Sequence, residues 1–151
     1  MSTETNKAIV RRMSEQVWNQ HRVDLLEEFY TEDVIHHVAG FPSLSGLEMV
    51  RKEAAMILNA YPDLQGTFED GIAEGDKVVV SWTKRCTHQG ELLGIPPTGK
   101  QITTSGVTIY RLVNGKIAEE WRWNDDLSEF QQLGAIPAPK LKIPNISDPA
   151  T

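Results

Sequence analysis

The chain has 151 residues, which suits one domain around one enclosed core, because two domains of half that length would each bury too little surface. Fifteen Lys and Arg stand against 21 Asp and Glu, and the net charge of -6 repels phosphate backbones and anionic lipid, so nucleic acid and membrane are poor partners. The single Cys86 forms no internal disulfide, the polar start Met1 to Lys7 lacks the apolar region of a secretion signal, and no apolar run is long enough to span a bilayer, so a soluble cytoplasmic protein is expected.

From Asn6 to Trp18 the apolar positions Ile9, Val10, Met13, Val17 and Trp18 recur mostly at spacings of three and four, which predicts an amphipathic helix. Leu25, Leu26 and Phe29 make a second short helical stripe over Val23 to Tyr30, and Thr31 to Asp33 break it. Val34 to Val38 reads as a short strand and Gly40 to Gly46 as a loop, with Ser45 placed to cap a third helix that carries Met49, Ala54, Ala55, Leu58 and Tyr61. Pro62 and Asp63 end that helix. Beyond them the texture turns to Val, Ile, Thr and Trp broken by Gly and Asn, and this segregation of helices from strands predicts an α+β fold.

Strands are expected from Gly66 to Ala73 and from Lys77 to His88, turning at Glu74–Asp76, followed by a hairpin from Val107 to Trp123 about the type I′ turn Asn114-Gly115. Counting outward from that turn pairs Tyr110 with Glu119, Thr108 with Trp121, Gly106 with Trp123 and Thr104 with Asp125, and puts these residues on the face toward the helices. Leu127, Phe130 and Leu133 suit a closing helix ended by Gly134, and the prolines of 135–151 predict an extended tail after a domain at 1–134.

No P-loop, Rossmann glycine pattern, HExxH or GxSxG is present, which leaves acid/base chemistry. Asp125 follows Trp121 and Trp123 at period two, and a carboxylate beside two indoles is poorly solvated and so a better proton carrier near neutral pH. Either Asp125 or Asp126 also suits the cap of the helix at Leu127, and the two roles can be divided between them. His37 and His88 are the candidate donors to an oxyanion. His36 lies on the opposite face from His37, so at most one points inward. Trp82, Tyr110, Glu119, Trp121 and Trp123 are the expected substrate contacts, with core packing the competing role for the indoles. No short-range ligand spacing supports a metal, and no cofactor is expected.

The stretch from His88 through Gly90, Leu92 and Leu93 to Gly94-Ile95-Pro96-Pro97-Thr98-Gly99-Lys100, and that from Arg111 through Gly115, Glu119, Trp121 and Asp125 to Gln132-Leu133-Gly134, resemble SnoaL-like polyketide cyclases over roughly Lys7 to Gly134. The resemblance implies a nuclear transport factor 2-like cone, a curved sheet around helices with a deep apolar pocket. It also implies cofactor-free intramolecular aldol condensation of a small apolar or aromatic carbonyl compound such as a polyketide ester, with Asp125 in the position of the acid/base, and a homodimer. His36 and Val38 stand where acidic residues often flank the family's histidine, matched here by His37. An isomerase or hydratase on the same fold, a cofactor-free hydroxylase, and a noncatalytic small-molecule binder remain the alternatives.

Overall fold

A computed structural model describes residues 1–138. The part of the expected tail from residue 139 onward lies outside the described residues. Helix α1, Thr3–Met13, begins on Ser2, whose hydroxyl accepts from the Thr5 N–H, and runs on into a π-helical turn, Ser14–Asn19. A 3-10 turn, Val23–Leu25, leads to α2, Leu26–Phe29. Strand β1, Tyr30–Val38, is longer than its sequence pattern suggests, since Thr31 to Asp33 continue it through an irregular stretch of pairing. The brief β2, Leu44–Ser45, precedes α3, Leu47–Ala60, which is entered through Gly46 at φ 92 without the expected Ser45 cap.

Four long strands follow, β3 (Gln65–Glu74), β4 (Lys77–Thr87), β5 (Gln101–Val113) and β6 (Lys116–Asn124), and α4, Asp126–Leu133, closes the domain on Gly134 in the left-handed conformation. The sheet order is β2-β1-β6-β5-β4-β3, antiparallel throughout except for the parallel pair β1 and β6. Helix α1 and the turn after it lay Ile9, Val10, Met13 and Val17 on the inner face of the sheet, against Val78, Val80, Tyr110, Leu112 and Ile117. This buried apolar contact gives the helical layer its place, because burial of such side chains contributes about 1.5–3 kcal/mol each.

One detail of the β5–β6 hairpin changes the reading of the site. Val113 pairs with Lys116 and Leu112 with Ile117 as the turn requires, but Arg111 then pairs with Glu119, leaving Ala118 as the extra residue of a bulge. From there outward Tyr110 faces Glu120, Thr108 faces Arg122 and Gly106 faces Asn124. The expected pairing was therefore one residue out of register, and a shift of one exchanges the two faces of a strand. Ile117 and Glu120 are both buried at a spacing of three, the mark of the inserted residue.

Candidate active site

The inner face carries cross-strand rows. His36, Glu120, Tyr110 and Val78 form one, and Val38, Arg122, Thr108 and Val80 the next. A third joins Asn124, Gly106 and Trp82, and there Gly106 is required: a Cβ would stand 2.3 Å from the Trp82 ring and 2.4 Å from the Trp123 carbonyl oxygen. The Trp82 indole lies across that gap and donates to Thr108 Oγ1 at 2.9 Å. Between these rows, α3 and the π-helical turn lies a cavity of about 700 Å³, within the range of small-molecule sites. Its walls include Trp18, Phe68, Val80 and Trp82, and two groups of buried or half-buried polar side chains stand in or behind them.

The first group joins β1, α3 and β6. Arg122 is ion-paired with Glu53, and its Nε is buried without a partner among the described residues. His36, 2% exposed, has Nδ1 2.8 Å from Glu53 Oε2 and Nε2 3.0 Å from Glu120 Oε2, both off the axes of the ring N–H bonds, so these are ion-pair contacts rather than in-line hydrogen bonds. Burial works against the imidazolium, but Glu120 and Glu53 outweigh it and raise the His36 pKa. Burial also opposes ionisation of Glu53, yet His36 and Arg122 together hold that carboxyl down at about 2.

The second group joins α3, β4 and α4. Tyr61 donates to Glu129 Oε1 at 2.6 Å, and Lys84 Nζ donates to the same carboxylate at 3.2 and 3.4 Å. Asp126, the first residue of α4, lines the cavity beside them. Burial, followed by the nearby Glu129 charge, raises the Asp126 pKa, against the opposing pull of Lys84 and Arg122. Asn124, also at the cavity wall, lies two residues before it.

Of the residues singled out from sequence, Trp82 and Tyr110 line the cavity. Glu119, Trp121 and Trp123 lie on the outer face of the sheet, where the bulge has turned them. There His37 stacks on Trp121 with ring centroids 5.5 Å apart, and its nitrogens sit 2.8 Å from Ser43 Oγ and 2.8 Å from Glu119 Oε2. The same bulge turns Arg122 to the inner face. Asp125 is exposed and its Oδ1 accepts from the Ser128 N–H at 3.1 Å, which is the capping role; the cavity receives Asp126. His88 is fully buried outside the cavity wall, where it fastens the loop that follows β4. Its N–H donates to the Lys100 carbonyl, its carbonyl accepts from Gly99, and its Nδ1 accepts from the Thr98 N–H at 3.2 Å. Gly90 in the same segment packs against Asn59 so tightly that a Cβ would meet its carbonyl oxygen at 2.3 Å. Elsewhere, His21 Nε2 binds the Leu64 carbonyl at 2.8 Å. Burial pushes the Cys86 thiol up to about 12, so it supplies no thiolate near neutral pH. Among the described residues no group of three His, Cys, Asp or Glu is arranged to hold a metal ion, and no helix is long and apolar enough to cross a membrane.

Sequence counting missed the convergence of Glu53, Glu120 and Arg122, because it depends on the bulge, which leaves no local signal, and on how α3 docks against β1 and β6, which is a long-range contact. Glu129 was missed as well, and its i, i+3 spacing from Asp126 on one helical face is the signal that could have found it.

Residues 8–133 match the model of the SnoaL-like polyketide cyclase family, and the chain belongs to that family. It is 30% identical over 129 residues to the aklanonic acid methyl ester cyclase DauD of Streptomyces sp. (strain C5), covering 83% of this chain and 80% of that protein. Against the cyclase DnrD of Streptomyces peucetius, also named for aklanonic acid methyl ester, identity is 29% over 137 residues, covering 89% and 92%. Among solved structures, AclR of Streptomyces galilaeus, described as a candidate hydroxylase, superposes with a TM-score of 0.82 at 31% identity over 92% of this chain and 87% of its own. A candidate SnoaL-like polyketide cyclase from Jannaschia sp. CCS1 gives 0.83 at 25% identity, covering 89% and 95%. The fold is thus the nuclear transport factor 2-like α+β arrangement expected from the sequence.

Proposed function

We propose that the protein is an enzyme that closes a ring of a polyketide ester by intramolecular aldol condensation, with Asp126 as acid/base. The observation that carries this reading is a carboxyl of raised pKa at the wall of a largely apolar 700 Å³ cavity, next to fixed cations. In the reaction, Asp126 takes a proton from the carbon α to a carbonyl. The carbanion forms a carbon–carbon bond to a second carbonyl of the same molecule, and the alkoxide oxygen so produced takes the proton back from Asp126, leaving the protein unchanged. The Asn124 amide and the Lys84 ammonium are the donors at that end of the cavity suited to hold the enolate oxygen. Trp18, Phe68 and Trp82 hold the flexible chain folded, and orientation of this kind is worth up to about 7–11 kcal/mol of barrier.

This moves the proton-carrying role from Asp125 to its neighbour and takes the oxyanion-donor role away from His37 and His88, which do not line the cavity. Asp125→Asn and Asp126→Asn separate the two aspartates, because Asn is also a good helix cap. With aklanonic acid methyl ester as the first probe, Asp126→Asn should lower kcat by about 10²–10⁴ while leaving affinity in place, and Asp125→Asn should keep turnover within a few-fold. Full activity in Asp126→Asn would remove the assignment. Ester binding without chemical change in the wild type would favour the noncatalytic ligand-binding reading.

A second copy of the chain is the partner we propose for the outer sheet face. Ile35, Ile72, Val107 and Trp123 are exposed there in spite of their apolar side chains.

A further inference from the structure

We infer that Glu129, clamped between Tyr61 and Lys84, is a positioning residue that governs the protonation state of Asp126 without touching the substrate. The inference rests on the acid/base reading of Asp126 and extends it to a second carboxylate in the same wall.

Geometry is the first ground. Asp126 and Glu129 are three residues apart on α4, hence on one face of the helix, and that face is turned into the domain. Glu129 is 5% exposed, an uncommon burial for a glutamate that holds no metal. It is fixed from two other elements, by the Tyr61 hydroxyl at the end of α3 and by Lys84 of β4, and the Lys84 ammonium also lies 5.2 Å from the Tyr61 ring centroid. Both partners donate to its carboxyl oxygens, and burial together with the hydrogen bond to Glu129 keeps the proton on Tyr61.

The charges around Asp126 form the second ground. Glu129 and Asp125 on its own helix end disfavour its ionised form, whereas Lys84 from β4 and Arg122 from β6 favour it. Glu129 and Lys84 are paired to each other, so the pair delivers opposing influences from one clamp. Removing either member unbalances Asp126, in opposite directions: without the Glu129 charge, Lys84 and Arg122 are opposed by Asp125 alone and Asp126 ionises more readily; without Lys84, Glu129 and Asp125 are opposed by Arg122 alone and Asp126 holds its proton to higher pH.

Those opposite signs separate an electrostatic role from a merely structural one. The measurement is a ¹³C NMR titration of the aspartate carboxyl carbons in the full chain, with the Asp126 signal identified by its absence in Asp126→Asn. In Glu129→Gln, where the amide oxygen still accepts from Tyr61, the Asp126 midpoint should move to lower pH. In Lys84→Met it should move to higher pH, and the acid limb of the turnover profile with aklanonic acid methyl ester should follow in each case. Tyr61→Phe loosens the clamp while leaving every charge in place, and it supplies the test if a charge variant fails to fold: its turnover should fall, and its Asp126 signal should broaden or shift. Midpoints that stay put in the charge variants, or move in the same direction in both, overturn the inference, as does a Tyr61→Phe protein with wild-type turnover and titration. An Asp126→Asn enzyme that keeps its activity instead overturns the acid/base reading, whatever the titrations show.

Discussion

Asp126 carries an energetic cost that follows from its place in the cavity wall. Its carboxyl gains nothing from ionising in the folded protein compared with the unfolded chain, since burial and the Glu129 charge raise its pKa. A raised carboxyl pKa means that the folded state binds the proton more tightly, so this contribution to stability is fully present below the unfolded value of about 3.9 and is lost as pH rises through the folded value. Asn has no such loss. Asp126→Asn should therefore melt higher than the wild type at neutral pH, with the two melting curves converging as pH falls toward the ordinary carboxyl range, and calorimetry from pH 3 to 8 reads this directly. A variant that melts at or below wild type at pH 7 would mean that the raised pKa has been misattributed. Within the His36 group two opposite pH dependences meet. The stabilisation from its raised pKa is complete below about 6.5 and fades as pH climbs through the folded value, whereas that of Glu53 is complete above the ordinary carboxylate range and fades as pH falls toward about 2.

At the scale of elements, the bulge in β6 decides which side chains meet the cavity. Deleting Ala118 removes the extra residue while leaving Ile117, Glu120 and Arg122 on the inner face, so that variant should fold, with some loss of strand twist. Deleting Trp121 instead turns Arg122 outward and breaks its buried pairing with Glu53, at a cost of about 3–5 kcal/mol for the stranded charge alone. Far-UV circular dichroism with thermal melts should show a cooperative transition for the first deletion and none for the second. The same bulge marks the limit of what could be read from the chain. The helices, the four long strands, the type I′ turn at Asn114-Gly115 and the closing helix ended by Gly134 were legible, because periodicity and turn chemistry are local. Trp82 and Tyr110 were legible as cavity residues because they lie on strands whose parity no bulge disturbs. Glu119, Trp121 and Asp125 were placed on the wrong face by a single residue that no local pattern announces. The π-helical turn is equally silent, although it sets Asn19 to exchange hydrogen bonds of 2.7 and 2.9 Å with the Gly66 backbone and so ties the helical layer to β3.

Among the described residues the sheet is divided between two tasks, with the inner face enclosing the cavity and the outer face left open. An exposed apolar patch usually marks an association site, and here Val107 and Trp123, at 40% and 48% exposure, pair across the neighbouring strands β5 and β6, with Ile35 on β1 and Ile72, 65% exposed, on β3 of the same face. Around them the His37, Glu119 and Arg111 network fixes polar side chains in place, with Arg111 within 3.2 Å of Glu119, which gives the patch an ordered polar rim. A second copy presents the same surface, and a twofold contact between two such faces is self-complementary in its apolar centre. Light scattering coupled to size exclusion should then give twice the 16.9 kDa chain mass at micromolar concentration. Val107→Lys with Trp123→Lys should return the protein to the chain mass, because charges buried at the centre of such a contact are left unpaired. Since both positions point away from the cavity, turnover per chain should persist in the monomer. A wild type that already runs at the chain mass would show that the outer face is not a self-association surface, and a monomeric double variant with abolished turnover would show instead that the second copy helps to hold the cavity in its working shape.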